Sequence, residues 1–406
     1  MVGIIGGGIS GVSAGKLLKE KKIRSVIYES SNQKGGLISC KISNGVLFHT
    51  TGGHVFNTKN EKVKKWFFSH FEIDNHFLKA TRNAKILLDN KLINYPIENN
   101  INQLSQETGL KIIEELLKNN KINKSSFASY LETTFGTTLF KLYFEPYNKK
   151  IWQYDLNKMS LDWLEGKLPM PNKTDIIFKN LYKINETEMT HSTFFYPKKG
   201  GSQFIIDKIG KGLDIRLNER VKLIELKDGK WNINNDSYEK IIYTGNITEL
   251  PNILKGIDIS DFDFSDFKSH GTTTVLCEVE TNDLSWLYLP EKKIKGHRVI
   301  MTGNFSENNN GKYKCTATVE FSRKISKERI YEECKKLKIV KNILDYNFTR
   351  NSYVIQNSKT RTKVKRLKEI LHSNNFFLLG RFAEWEYYNM DNAINSAMKL
   401  ANTLSN

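Results

Sequence analysis

Cysteine, proline and acidic residues are all scarce in this 406-residue chain, which has 4 Cys, 7 Pro and 44 Asp+Glu against 62 Lys+Arg, a formal charge of +18. With no Cys-x-x-Cys pair and no His-x-x-x-His partner, a disulfide-stapled scaffold and a thiolate metal site are both excluded. Cys40, Cys277, Cys315 and Cys334 therefore read as reduced structural thiols, and no metal is expected. No apolar run approaches the roughly 18 residues of a spanning helix, so no integral membrane segment is expected. Pro-rich linkers, internal repeats and low-complexity tracts are missing too, which leaves changes in periodicity as the guide to domain boundaries. The deficit of acid is one trait of nucleic-acid binders. Here, however, the lysines are scattered among asparagines without Lys/Arg blocks, as on a solvated surface, so no nucleic-acid partner is expected. The first apolar run, Val2 to Ile5, ends in glycines and has no basic leader, and together with the reduced thiols this suggests a cytoplasmic protein.

What is present is an ordinary globular composition, 39% hydrophobic and 11% aromatic, long enough for two or three units with real cores. Val2–Ile5 reads as a short buried strand, Ile9–Glu20 as an amphipathic helix and Ser25–Glu29 as a second strand, a βαβ opening that favours a parallel sheet. Asn60–Phe71 reads as a helix, and Leu87–Tyr95 as two short strands around the turn Asp89-Asn90. From Gln103 to Tyr182 the apolar spacing is helical with few glycines, an inserted helical unit. A helix from Gln203 and strands near Val221–Leu226 and Ile241–Thr244 return to the α/β style. Val275–Val279, Trp286–Leu289, Arg298–Gly303 and Lys314–Phe321 then read as antiparallel strands, and helices at Lys327–Leu337, Thr362–Ser373 and Asn392–Thr403 close the chain. The fold class is α/β: a Rossmann-like dinucleotide-binding domain with an inserted helical domain and an antiparallel β-sheet domain.

Gly6-Gly7-Gly8-Ile9-Ser10-Gly11 is Gly-x-Gly-x-x-Gly between the predicted strand and helix. Gly6 permits the tight turn, Gly8 lets a pyrophosphate approach the N–H groups of Ile9 and Ser10 at the helix start, and Gly11 lets helix and strand pack closely. Glu29, at the end of the second strand, is placed to accept from ribose hydroxyls. Gly35-Gly36 follows six and seven positions after Glu29, an acid-then-double-glycine spacing similar to that of flavoproteins resembling the amine oxidases, which makes the expected dinucleotide a noncovalent FAD.

Five segments in order resemble the UDP-galactopyranose mutase family: Gly52-Gly53-His54-Val55-Phe56, Tyr95-Pro96-Ile97-Glu98-Asn99-Asn100-Ile101, Pro146-Tyr147-Asn148-Lys149-Lys150-Ile151-Trp152, Trp286-Leu287-Tyr288-Leu289-Pro290 with Arg298 downstream, and Gly380-Arg381-Phe382-Ala383-Glu384-Trp385-Glu386-Tyr387-Tyr388-Asn389-Met390-Asp391. The first four look more like the eukaryotic form and the last like the bacterial form. The resemblance implies a discontinuous FAD domain (residues 1–78, 196–250 and 350–406), a helical domain with a mobile active-site loop (99–182) and an antiparallel sheet domain (79–98, 183–195 and 251–349). It implies an isomerase that interconverts pyranose and furanose forms of a nucleotide sugar, UDP-galactopyranose or a related NDP-hexose, with galactofuranose destined for cell-surface polysaccharide. Reduced flavin N5 would act as nucleophile at the anomeric carbon. Expected partners are the UDP-linked sugar and an external reductant such as NAD(P)H, with a homodimer allowed.

Residue by residue, the resemblance makes Arg298 a diphosphate-holding arginine and puts Lys167 where the family usually has arginine on the mobile loop, keeping the charge but losing the bidentate fork. His54, beside Gly53, would lie against the flavin. Gly380, Arg381, Asn389, Met390 and Asp391 would line its ring and ribityl chain, with Leu37 and Val221 completing the cofactor set. Asn148 and Trp152 match nucleotide-recognising positions, and Tyr288 and Tyr387 match diphosphate-binding tyrosines. Tyr95, Trp286 and Arg82 are expected at the substrate. Asn389 replaces an acid of the bacterial enzymes, Glu98 a glutamine and Phe305 a tyrosine, departures that all fall around the sugar-nucleotide site. The competing reading is an FAD-dependent oxidoreductase of the amine-oxidase or protoporphyrinogen-oxidase type, which shares the N-terminal signature but needs no diphosphate clamp.

Overall fold

The computed structural model describes residues 1–118, 121–164, 172–184 and 192–405. Val2–Ile5, Ile9–Glu20 and Ser25–Tyr28 form the expected strand, helix and strand. Among the described residues they build a five-stranded parallel sheet in the order Phe376–Leu378, Lys240–Tyr243, Val2–Ile5, Ser25–Tyr28, Asp214–Arg216. Ile4, Val12, Leu17 and Leu18 pack there against Ile394, Ala397 and Ala401 of the C-terminal helix Met390–Ser405, which begins two residues earlier than its periodicity suggests. Early and late segments of the sequence therefore meet on this sheet, where the Ile9–Glu20 helix packs against Met390–Ser405.

The inserted unit is helical as expected. Ser105 and Ser126 cap the Gln106–Leu117 and Phe127–Phe135 helices by accepting from the Thr108 and Ser129 amides at 3.2 and 3.1 Å. Ile112, Leu116, Phe127 and Leu131 face inward, in one apolar cluster with Trp286, Tyr288 and Tyr353 of the largest sheet and with Phe305. The helical unit thus shares a core with the sheet that carries the candidate site.

That seven-stranded sheet runs Val340–Val354, Ser269–Val279, Thr316–Ser322, Arg298–Ile300, Trp286–Tyr288, Ala84–Leu88, Lys91–Asn94. Ala84–Leu88 and Lys91–Asn94 are the expected hairpin, turning on Asp89 and Asn90, which both have positive φ, the mark of a tight hairpin turn.

Three expectations need correction here. The sheet is mixed, because Trp286–Tyr288 pairs parallel with Ala84–Leu88. The strand from Arg298 stops at Ile300, and Thr302–Phe305 turns into a short helix that carries Phe305. The 15-residue strand Val340–Val354 had no counterpart in the sequence reading, and it crosses residue 350, where a domain boundary was expected.

Candidate functional site

The glycine loop is built by contacts that leave no room for side chains. Gly6 adopts φ +107°, and a Cβ on Gly11 would come within 2.0 Å of the Gly6 carbonyl oxygen. The Gly7 N–H donates to Glu29 Oε2 at 2.8 Å and the Ser31 N–H to Oε1 at 2.8 Å, so the buried acid ties the loop to the end of the second strand. The Gly35 N–H donates to the Gly7 carbonyl at 2.9 Å, which lays the second glycine pair, and Leu37 after it, beside the first. Gly380, at φ +90°, reaches the same place from the far end of the chain: a Cβ there would lie 2.5 Å from Ser10 Oγ. No side chain caps the Ile9–Glu20 helix at Gly8 and its first turn holds no acid, so its positive end is open to an anion. A backbone cradle, a buried ribose-side acid and an open helix end suit the pyrophosphate and ribose of a dinucleotide such as FAD. Val221 sits apart from the glycines, in the cluster that contains Tyr28 and packs against Leu37.

A second set of groups lies on the large sheet. Arg298 and Glu320 are directly opposed on adjacent antiparallel strands, and Arg298 Nε donates to Glu320 Oε2. Arg298 Nη2 lies 3.4 Å from the Tyr353 hydroxyl. The arginine keeps 26% of its side chain exposed while Glu320 keeps 3%, so the acid is the buried anchor and the guanidinium the accessible end. The neighbouring Arg298 cation holds the Glu320 carboxyl well below the usual carboxylate range, even though burial works against that.

The Gly52-Gly53-His54 turn lies against this pair. A Cβ on Gly53 would meet Ile300 at 2.7 Å and Phe305 at 3.2 Å. His54 Nε2 is 2.7 Å from the Thr51 carbonyl, so Nε2 carries the proton and Nδ1 is left as an acceptor. Burial, assisted by the Arg381 charge, pushes the imidazole down to about 4, so it is neutral near pH 7.

Aromatic rings wall the remainder. Arg82 stacks on Tyr95 at 4.4 Å, lies 5.4 Å from the Trp286 ring, and donates through Nη2 to the Tyr288 hydroxyl. Tyr288 meets Tyr147 edge-on at 5.4 Å. Tyr387 stacks on Tyr353 at 5.8 Å and meets Trp152 at 5.5 Å, with the Arg381 guanidinium 4.8 Å from its ring. Arg381 itself is fixed by the Ser352 carbonyl at 2.8 Å and the Tyr388 carbonyl at 3.1 Å.

The fold thus gathers Arg82, Tyr95, Trp286 and Tyr288 into one cluster, and Trp152, Arg298, Arg381 and Tyr387 into another around Tyr353. Asn148 belongs to the Glu145–Trp152 helix, where its amide donates to the Phe144 carbonyl at 2.8 Å and accepts from Trp152 Nε1 at 3.2 Å, contacts along its own helix. Glu98 is buried in the Ile97–Asn99 turn. Met390 and Asp391 form the first turn of the last helix, and the Asn389 carbonyl accepts from Ala393 at 3.0 Å. Lys167 lies outside the described residues. Four groups at the site were not singled out from sequence: Glu320, Tyr353, Trp163 and Tyr147. Tyr353 sits in the unforeseen strand. Tyr147 stood inside a quoted segment, so its signal was present but unassigned, and Trp163 joins the site through its ring contacts with Trp152 at 4.6 Å and Tyr387 at 6.2 Å. Among the described residues no group of three or more His, Cys, Asp or Glu is placed to hold a metal ion.

The first class that fold and loop define is broad: a dinucleotide-binding protein of Rossmann type. The model of the NAD(P)-binding Rossmann-like domain matches residues 4–71. The UDP-galactopyranose mutase of Mycoplasma genitalium is 24% identical, over 99% of this chain and 94% of its own length. The dTDP-fucopyranose mutase of Escherichia coli is 28% identical over 37% of this chain and 41% of its own length. Among solved structures, a reduced UDP-galactopyranose mutase superposes with a TM-score of 0.90 at 19% identity, covering 99% of this chain and 95% of that one. Over nearly its whole length the chain is thus similar in sequence to a UDP-galactopyranose mutase, and it shares the fold of one, a likeness to sugar-nucleotide mutases that marks it as a divergent relative of such isomerases.

Proposed function

We propose that the protein interconverts the pyranose and furanose forms of a nucleotide sugar, UDP-galactopyranose or a related NDP-hexose, with noncovalent FAD. The observation that carries this reading is the convergence of Arg298, the tyrosine wall and the neutral His54 turn on one face of the large sheet. Reduced FAD, held by the glycine loops and Glu29, would supply a nucleophilic N5 for the anomeric carbon. Arg298 holds the departing diphosphate near enough to return, Tyr288 and Tyr387 donate to its oxygens without adding charge, and Lys167 supplies a second cation. Trp152, with Tyr387 and Tyr353, gives the nucleotide an apolar wall, and Asn148 offers the base the amide proton and lone pair that its contacts with Phe144 and Trp152 leave over. Tyr95, Trp286 and Arg82 border the sugar together with Glu98, Phe305 and Asn389. His54, as a neutral acceptor, adjoins the cofactor. The three-part division of the chain is kept in this reading with the sheet unit running through Val354, and a donor such as NAD(P)H keeps the cofactor reduced.

An FAD oxidoreductase would share the cradle but would have no use for a guanidinium clamp. Incubating dithionite-reduced protein with a panel of UDP- and dTDP-sugars, and resolving the products by chromatography, tests the proposal. Furanose products without stoichiometric consumption of reductant are expected. Accumulation of reduced flavin by the oxidised protein on adding substrate would establish the oxidoreductase instead.

A further inference from the structure

Glu320 touches two parts of the site at once. One oxygen, Oε2, takes the hydrogen bond from Arg298 Nε and lies 3.3 Å from Nε2 of the buried His297. The other, Oε1, lies against Gly52: a Cβ at that glycine would fall 2.2 Å from it, and 3.8 Å from Arg298 Nη2. Gly52 has φ +73°, so the turn that carries His54 passes over the ion pair in a conformation suited to glycine, at a distance that admits no side chain. A guanidinium has five N–H donors in a rigid plane, and anchoring it through Nε fixes that plane while leaving the Nη groups directed outward. Buried ion pairs add little net stability over apolar residues of the same volume, so their use here is better sought in orientation.

We infer that Glu320 is a positioning residue that acts through Arg298. It aims the guanidinium at the diphosphate and registers it against the cofactor-side turn, so that clamp and cofactor keep one relative geometry. This inference rests on the mutase reading and deepens it, since no contact between Glu320 and substrate is required.

The test is a double-mutant cycle on the flavin-loaded protein, reading kcat/KM for conversion of the nucleotide sugar, with flavin content and thermal melting as controls. Glu320→Gln keeps the shape but removes the charge that orients Nε. It should lower kcat/KM roughly tenfold to a hundredfold, the scale of support around a reacting group, with flavin content unchanged. In the Arg298→Lys background the same change should alter kcat/KM by less than about twofold, because a lysine has no plane to aim. Equal losses in the two backgrounds would overturn the inference and make Glu320 ordinary core support, and so would no loss in the Arg298 background. Should Glu320→Gln fail to fold, Glu320→Asp retains the charge but withdraws it by one methylene. A comparable loss of kcat/KM with normal flavin content is then expected, and full activity would overturn the inference. A wild-type protein that converts no nucleotide sugar would remove the mutase reading itself, an outcome distinct from an active wild type with additive losses.

Discussion

The cofactor cradle and the substrate face are built on different principles. The cradle is made mostly of backbone: glycines whose absent side chains allow three loops to touch, plus one acid, Glu29, bound to two amides. The substrate face is made of long side chains, Arg82, Arg298, Tyr288, Tyr353, Tyr387 and Trp152, drawn from distant stretches of chain and held by one another. A backbone site has little tolerance for added atoms. A side-chain site tolerates substitution but loses aim. The two should therefore fail in different ways.

The sharpest contrast comes from Gly11→Val. A Cβ at that position already falls 2.0 Å from the Gly6 carbonyl oxygen, so the helix must move off the strand and the cradle opens. Flavin content measured after purification should drop to background and activity should vanish with it. Retention of full flavin content would show that the glycine loop is not the cofactor site.

Arg298→Ala should do the opposite, sparing the flavin while removing roughly 2–4 kcal/mol of transition-state stabilisation, read from kcat/KM. It also strands the buried Glu320 carboxylate, so denaturant unfolding should register a loss of about 3 kcal/mol. Flavin loss in this variant would erase the distinction between the two regions.

A pH titration probes the cradle side from within. His49 is fully buried between Tyr196 and Cys40, and burial pushes its imidazole down to about 3, from an ordinary value of 6.5. The unfolded chain takes the proton first. Stability is therefore complete above pH 6.5 and declines as the pH falls towards about 3, by on the order of 5 kcal/mol from this residue. Denaturant midpoints measured across that range should show the slope, and His49→Gln should flatten it. An unchanged slope would mean that His49 does not hold its neutral form in the folded protein.

The smallest effect is expected at Lys167. Lys167→Ala should cost about 1–2 kcal/mol in kcat/KM, because a flexible ammonium is a weaker clamp than a fixed guanidinium, and Lys167→Arg should keep substantial activity. If Lys167→Ala matches the wild type in kinetics, the second cation of the clamp is elsewhere, and Arg82, already stacked among Tyr95, Trp286 and Tyr288, is the next residue to replace.

Much of this protein was determined by the sequence alone, for a physical reason. A glycine loop between strand and helix, an acid at the end of the next strand and a second glycine pair are local features, and local sterics permit few structures for them. Asp89-Asn90 likewise announces its turn, because those residues tolerate left-handed backbone. Tertiary structure decided the rest. Val340–Val354 is an edge strand carrying Lys, Asn, Asp and Arg at exposed or half-exposed positions. Nothing in its own pattern selects a strand, and pairing along Ser269–Val279, with its register shifts, does. Its Tyr353 enters the site for that reason alone. Glu320 is equally silent in sequence, since an acid in a strand suggests a solvent-facing position. It becomes an anchor because antiparallel register sets it across from Arg298, and because Gly52, some 270 residues earlier in the chain, folds back over both. Chemistry carried by one segment can be read before folding, whereas chemistry that depends on which segments meet exists only once the sheet has set its register.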